Sequence, residues 1–377
     1  MKICLIAPTY LPARRANTIQ VMKMAQAMTA LGHEVLVTVP GKSPEGHAPD
    51  WNKLANQYGL QHQFRVDWLP VYSWMRRYDY GYQAVKYARA NNADLIYTRL
   101  PQAAGLASFL KFPTIFELHN FPQARRFQFL LKLFLKGSGA RRLVLITHAL
   151  RDDLFPMIDS YISNIDTIVA PDGVDLERYL DIPPPAVARN QLSLQERFTV
   201  GYTGHLYPGR GVELILMLAT RLPEINFLLV GGNPDDVASL RTEAENANLK
   251  NVHLTGFVPN AELARYQAAS DILLMPYQRK VAASSGGDIS RYLSPMKLFE
   301  YMASERPIIS SDLPVLQETL NQENAILLSP DEIAAWVSAI QELQSDACRR
   351  DKLARQARKD VQNYSWQSRA ERILKGM

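Results

Sequence analysis

Cysteine is almost missing from this chain of 377 residues: there are two, Cys4 and Cys348, at opposite ends. With no Cys/His spacing of the zinc type beside them, both read as free thiols in a reducing compartment, which leaves out a disulfide scaffold and a structural zinc site. No uncharged run approaches the ~20 residues of a membrane span. The densest apolar piece, Phe127 to Leu135, is interrupted by Lys132. The apolar run after Lys2 is short and leads into Pro8 instead of a small-residue cleavage site, so no secretory signal is expected. The P-loop and G-x-G-x-x-G fingerprints are absent, as is an Asp-x-Asp motif at a strand end, so no metal or other cofactor is expected. There is no nucleic-acid motif or basic-aromatic array, which excludes nucleic acid as the expected partner. These absences point to a cytoplasmic protein.

Apolar residues make up 47% of the chain, a globular composition, and the length fits two domains. The charge is uneven. Residues 1–180 hold 21 Lys and Arg against 14 Asp and Glu, an excess of seven positive charges, and the remainder has an excess of two negative ones. A basic first half suits an anionic partner, such as a phosphorylated or membrane-bound acceptor.

Apolar runs alternate with helical periodicity. Lys2 to Ala7 reads as a strand, Pro8 to Asn17 as a loop, and Thr18 as the cap of a helix carrying Val21, Met22, Ala25 and Met28. Gly32 ends that helix and Val35 to Val39 is the next strand. Further strands are expected at Leu95 to Tyr97, Thr114 to Glu117, Leu143 to Ile146 and Thr167 to Ala170. The run Ile182-Pro183-Pro184-Pro185 suggests a stiff linker over 183–197. A second series has strands at Phe198 to Thr203, Phe227 to Val230, Val252 to Thr255, Ile272 to Met275 and Ile308 to Ser310. The expected fold class is α/β, two Rossmann-like doubly wound domains (1–182 and 198–364) facing a central cleft. Ligands of open α/β sheets bind beyond the carboxyl ends of the strands.

Three stretches carry chemistry. In Ser294-Pro295-Met296-Lys297, a Ser cap and a Pro at the first helical position present free N–H groups to a phosphate, and Lys297 adds a charge. Glu300 shares its helix face, and a carboxylate accepts from two neighbouring ribose hydroxyls. Alone, this is equally an ordinary capped helix. In Tyr202-Thr203-Gly204-His205-Leu206-Tyr207-Pro208-Gly209-Arg210-Gly211, glycines let the backbone approach a ligand, and Arg210 can fork onto a diphosphate. Alone, this reads as a plain turn with an exposed Arg. The third stretch is Phe116-Glu117-Leu118-His119-Asn120, which places a histidine at a strand end. Pro171-Asp172-Gly173-Val174-Asp175 reads as a simple turn.

In this order, with Leu31-Gly32-His33-Glu34-Val35, Leu228-Leu229-Val230-Gly231, Thr255-Gly256-Phe257-Val258, Met275-Pro276, Glu300-Tyr301-Met302-Ala303 and Tyr364-Ser365-Trp366, the stretches resemble the retaining glycosyltransferases of family 4, with the GT-B fold. The resemblance covers nearly the whole chain. It implies that Glu300 binds the donor ribose and that Arg210 and Lys297 neutralise the diphosphate, with Gly204, His205, Gly209, Gly211, Ser294, Pro295 and Met296 lining the donor site. It implies that Phe257 and Val258 flank the base and that His119 lies beside the donor sugar. The last helix, about 365–377, would return to the first domain. Two departures stand out. The family's other paired glutamate is Tyr292 here, with Asp288 and Arg291 as nearby substitutes. The first loop carries Arg14, Arg15 and Asn17 where the family often has glycines, and these would contact sugar or acceptor.

The implied activity is transfer of a hexose-type sugar, with retention, from a nucleotide-sugar (UDP is the family's commoner carrier) to a glycan, glycolipid or lipid-linked acceptor, with no metal. A GT-B sugar-nucleotide 2-epimerase and a non-catalytic nucleotide-sugar binder are the alternatives. Between Gln123 and Lys136 an amphipathic helix would place Arg125, Gln128, Lys132 and Lys136 opposite Phe127, Leu130, Leu131, Phe134 and Leu135. That pattern is compatible with peripheral docking on anionic lipid or with packing on the chain's own sheet.

Overall fold

The computed structural model describes residues 1–43, 50–162, 165–282 and 287–377. The chain divides into two compact units, Met1–Asp172 with Trp366–Met377, and Gly173–Ser365.

The first unit holds seven parallel strands: β1 (Lys2–Ile6), β2 (Glu34–Pro40), β3 (Arg65–Leu69), β4 (Leu95–Thr98), β5 (Thr114–Leu118), β6 (Ala140–Leu145) and β7 (Asp166–Val169). Their order is β3-β2-β1-β4-β5-β6-β7. The central strands read as continuous apolar runs because helices cover both faces of a parallel sheet. Edge strand β3, with Arg65 and Asp67 among its five residues, lacks that signal and was not expected. Helix Ala16–Ala30 starts two residues before Thr18, with Arg15 at the cap position. Thr18 does not cap it; its hydroxyl lies 2.6 Å from that of Thr9.

The amphipathic helix forms at Arg125–Lys136, but Leu130, Leu131, Phe134 and Leu135 are buried. It packs on helix Pro101–Phe109. Gly105 makes the close approach possible: a Cβ there would sit 3.1 Å from the Leu130 carbonyl oxygen. The face considered for lipid is therefore mostly covered within its own unit. Among the described residues, no helix is long and apolar enough to cross a membrane.

The C-terminal helix Trp366–Leu374 belongs to the first unit and packs on Ala16–Ala30. Arg142 closes its C-terminal end, donating to the carbonyls of Arg372, Ile373 and Lys375. Those carbonyls have no partner within the helix, so a guidinium-type fork with several N–H groups suits the position.

The second unit holds β8 (Thr199–Thr203), β9 (Asn226–Val230), β10 (Val252–Gly256), β11 (Ile272–Met275), β12 (Ile308–Ser311) and β13 (Ile326–Leu328). The order is β10-β9-β8-β11-β12-β13, again parallel. The 183–197 stretch differs from the linker expected there. Pro185 starts a helix, Pro185–Gln191, in which Ala188 and Arg189 are buried in the second unit. Proline forbids the helix interior but fits its first turn, so a proline run can mark a helix start. In both units the strand order reverses beside the first strand, between β1 and β4 and between β8 and β11. Each unit thus has a crevice at its own switch point, at the carboxyl ends of the strands.

Candidate active site

In the second unit, β8 ends at Thr203 and Gly204 follows with φ +136°. A Cβ on Gly204 would lie 2.8 Å from Lys297 Nζ, so the missing side chain is what admits the ammonium. Lys297 lies on helix Met296–Ala303. Tyr301 fixes that helix to β8, because the Thr203 N–H donates to the Tyr301 hydroxyl at 2.8 Å. The Lys297 ammonium sits 3.8 Å from the centre of the Tyr202 ring and 5.4 Å from that of Tyr277. Its Nζ is buried and has no hydrogen-bond partner among the described residues.

Arg210 is aimed at the same tyrosine. It lies between Gly209 and Gly211, both at φ +81°, where a Cβ would meet the carbonyl oxygens of Lys280 and Pro276 at 2.0 and 1.8 Å. Only glycine serves at either position. Arg210 Nη1 donates to the Tyr277 hydroxyl at 3.0 Å, and the guanidinium lies 5.2 Å from the ring centre. Arg210 Nε is buried without a partner among the described residues. Burial, and then the charge of Arg210, hold the Lys297 ammonium far below its usual range, against the pull of Glu300. His205, stacked on Tyr207 at 4.6 Å, is pushed down to about 4 by burial and then by Arg210 and Lys297.

Two cations close together with orphaned buried N–H groups form an unfinished electrostatic arrangement. A buried cation without a partner costs several kcal/mol, and such a group calls for an explanation. A diphosphate supplies one, since it brings the negative charge and the acceptors these groups lack. Glu300 accepts from Gln267 Nε2 at 3.3 Å, and the Tyr179 hydroxyl donates to Gln267 at 2.8 Å. The carboxylate is thereby oriented on the same helix as Lys297.

Ser294, Met296, Lys297 and Glu300 are half-buried, so the turn opening this helix is not sealed. Its cap position falls on Pro295, without a side-chain cap bond, rather than on Ser294. Phe257 is exposed and Val258 half-buried. Asp288 shapes its own loop through Oδ1, which accepts from the Val281 and Ser290 N–H groups at 3.0 and 2.9 Å. Those bonds shape the loop and hold its carboxyl below the usual range, the Ser290 bond most. Arg291 is exposed and Tyr292 half-buried on the short 3-10 turn Ser290–Tyr292.

In the first unit, His119 follows β5 with its side chain 15% exposed. Its Nε2 contacts Oε1 of the fully buried Glu117. Arg369, from the C-terminal helix and also fully buried, donates to both Glu117 oxygens at 2.9 and 3.3 Å. It donates as well to the Ala170 and Pro171 carbonyls at 3.0 and 2.7 Å. Gln20 Nε2 donates to Glu117 at 2.8 Å, and Arg99 donates to Gln20 Oε1 at 3.0 Å. Burial would raise the Glu117 carboxyl, but Arg369 and then His119 outweigh it and hold it below its usual range. Burial, and then Arg99, push His119 down to about 4. Burial raises Asp172 to about 7 despite Arg369 and Arg99. Glu117, His119 and Asp172 bring possible ligand atoms within 4.8 Å of one another. Arg369 and Arg99 already supply the positive charge there, which makes the group an ion-pair network. Arg14 and Arg15 are exposed and Asn17 half-buried beside the start of helix Ala16–Ala30.

Motif reading gave no role to Tyr202 and Glu117, which lie inside the stretches it singled out, and missed Tyr277, Gln267 and Arg369. Tyr277, just past Met275-Pro276 at a strand end, carried a positional signal. Arg369, 252 residues from Glu117 in sequence, carried none.

Two doubly wound parallel-sheet units, each with charged side chains at its strand ends, have the architecture of the GT-B class of sugar-transfer folds. Residues 18–178 match the family model described as Glycosyltransferase Family 4, and residues 197–346 match that of Glycosyl transferases group 1. The chain belongs to the GT-B glycosyltransferases. It is 29% identical over 142 residues to a putative teichuronic acid biosynthesis glycosyltransferase of Bacillus subtilis, covering 38% of this chain and 33% of that one. It is 29% identical over 224 residues to the D-inositol 3-phosphate glycosyltransferase of Rhodococcus jostii, covering 55% and 46%. These matches span a third to a half of the relatives' own length. Among solved structures, Anabaena HepE in complex with UDP and glucose superposes with a TM-score of 0.74 at 18% identity, covering 99% of this chain and 98% of that one. A sucrose-phosphate synthase from Thermosynechococcus elongatus gives 0.73 at 20% identity, covering 99% and 97%.

Proposed function

We propose that this protein is a cytoplasmic, metal-independent glycosyltransferase that moves a hexose-type sugar from a UDP-sugar to a glycan, glycolipid or lipid-linked acceptor with retention of configuration. The observation that carries the reading is the pair of cationic groups at Tyr277, Lys297 Nζ beside Gly204 and Arg210 Nε, which have no partner among the described residues. Cleavage of a glycosyl phosphate bond leaves negative charge on the departing diphosphate. Cations already in place, in a site from which water is largely excluded, stabilise that charge without reorganising. Glu300 holds the ribose hydroxyls, Phe257 and Val258 border the base, and His119 meets the sugar. In a same-face substitution the acceptor hydroxyl attacks the anomeric carbon, the bond to the diphosphate breaks, and the leaving phosphate oxygen takes the hydroxyl proton. The UDP bound by HepE and the inositol phosphate acceptor of the Rhodococcus enzyme belong to those proteins, and they guide the choice of probes.

Thermal unfolding with UDP-, GDP- and ADP-sugars, in the presence of EDTA, tests the assignment. A ligand that binds only the native state at 100 times its dissociation constant adds about 2.7 kcal/mol of apparent stability. UDP-sugars are expected to raise Tm most. No shift with any nucleotide sugar overturns the reading, and nucleotide-sugar conversion without an acceptor would point to the epimerase instead.

A further inference from the structure

We propose that Arg369, supplied by the C-terminal helix, is a positioning residue: through Glu117 it fixes His119 as a neutral imidazole with Nε2 protonated and the Nδ1 lone pair free to accept a hydrogen bond from a sugar hydroxyl. This rests on the glycosyltransferase reading for the identity of the hydroxyl donor, but not for the relay itself.

The chain of contacts is direct. Arg369 is fully buried, and its donors all point to named acceptors: the two Glu117 oxygens, the Ala170 and Pro171 carbonyls, the Tyr97 hydroxyl and the Met24 sulfur. A guanidinium does not lose its proton in a protein, so this is a permanent charge. Facing it, Glu117 stays ionised although no part of it reaches water, and an ionised carboxylate only accepts hydrogen bonds. The contact between Glu117 Oε1 and His119 Nε2 therefore requires the proton on Nε2. A hydrogen bond at one ring nitrogen sets the role of the other. The groups facing the imidazole are Glu117, Arg99, Arg369 and Asp172. Burial, and then Arg99, keep it uncharged at neutral pH, and only about 15% of its side chain is exposed.

The arrangement also gives the returning C-terminal helix a chemical task. Its other contacts hold the helix in place, whereas Arg369 reaches the strand end where His119 is presented. A purely structural tail would not need its guanidinium on this carboxylate.

Nitrogen-detected NMR of the ligand-free protein tests the relay, with His119 assigned by comparison with His119→Gln. In the unsubstituted protein His119 is expected as one tautomer, proton on Nε2, titrating near pH 4. In Arg369→Gln the buried Glu117 carboxylate loses its main counter-charge and takes up a proton, so the Nε2–H tautomer is no longer enforced and the two tautomers are expected to mix. Arg369→Gln leaves Glu117 buried without its main partner and is expected to fold poorly. The double variant Arg369→Met, Glu117→Leu is the second arm, because a buried pair replaced by apolar residues of similar size is often tolerated. There too the single tautomer should be lost. A retained single tautomer in folded Arg369→Gln or in the double variant overturns the proposal. For the double variant, the UDP-induced rise in Tm should persist while turnover of UDP-glucose with acceptor falls at least about tenfold, the middle of the 10²-fold range a misplaced contact produces. Loss of the UDP response in both proteins would count against the donor-site reading and leave the tautomer result intact.

Discussion

In the first unit the guanidinium of Arg369 meets Glu117 and two backbone carbonyls, and nothing external is needed to complete the group. In the second unit Lys297 Nζ and Arg210 Nε meet no acceptor among the described residues. Both units bury charge at the carboxyl end of a parallel sheet. The first closes its charges into a network and uses them to orient a histidine. The second leaves its positive charge open, at a cost to stability, and an anion offsets that cost when it binds. Completed charge holds geometry, and open charge binds ligand.

The contrast can be broken at its strongest point. Arg369→Met leaves Glu117 as an unpaired buried carboxylate, and loss of about 3–5 kcal/mol is expected in urea unfolding. A loss below about 1 kcal/mol would mean that the network is not closed as described. In the second unit the opposite sign is expected. Arg210→Ala should lower kcat/KM by about 10²–10³-fold, the cost typical of removing one preorganised donor to a developing anion. Lys297→Met should abolish the Tm response to UDP yet leave the unliganded protein at least as stable, since it removes an uncompensated cation. A lower unliganded Tm for Lys297→Met would show that its charge is already satisfied.

The smallest effect sharpens the comparison through pH. His119 and His205 are both pushed down to about 4. For each, the unfolded chain takes up a proton below about 6.5 while the folded chain does not. Stability from these groups is therefore present above about 6.5 and is lost as pH falls toward 4. UDP places negative charge beside His205, raises its folded value, and should flatten that part of the loss. The part due to His119 should remain. Tm measured from pH 7 to 4.5, with and without UDP, in His119→Gln and His205→Gln separates the two shares. Equal flattening in both variants would sink the assignment.

Much of the frame was legible from periodicity, because central parallel strands are continuous apolar runs and helices follow them at regular spacing. The edge strands β3 and β13 were not anticipated: Arg65 and Asp67 break the apolar run in β3, and β13 is three residues long. The proline run misled: Pro185 opens a helix instead of stiffening a linker. The amphipathic helix at Arg125–Lys136 was readable as a helix, but what its apolar face meets is a tertiary fact. At the site, Arg210, Lys297 and Glu300 were readable because glycine turns and a helix start mark ligand-facing backbone. Asp288 was chosen for its charge and proximity in sequence, whereas the fold uses it to hold its own loop.

By itself, the sequence determined two series of buried strands, the glycines flanking Arg210, and the placement of Lys297 and Glu300 on one helix face. These depend on local rules of backbone conformation and side-chain period. Only the tertiary structure decided that Tyr277 contacts both Arg210 and Lys297, and that Arg369 meets Glu117. Such pairings follow from how elements far apart in sequence pack, and no local pattern encodes them.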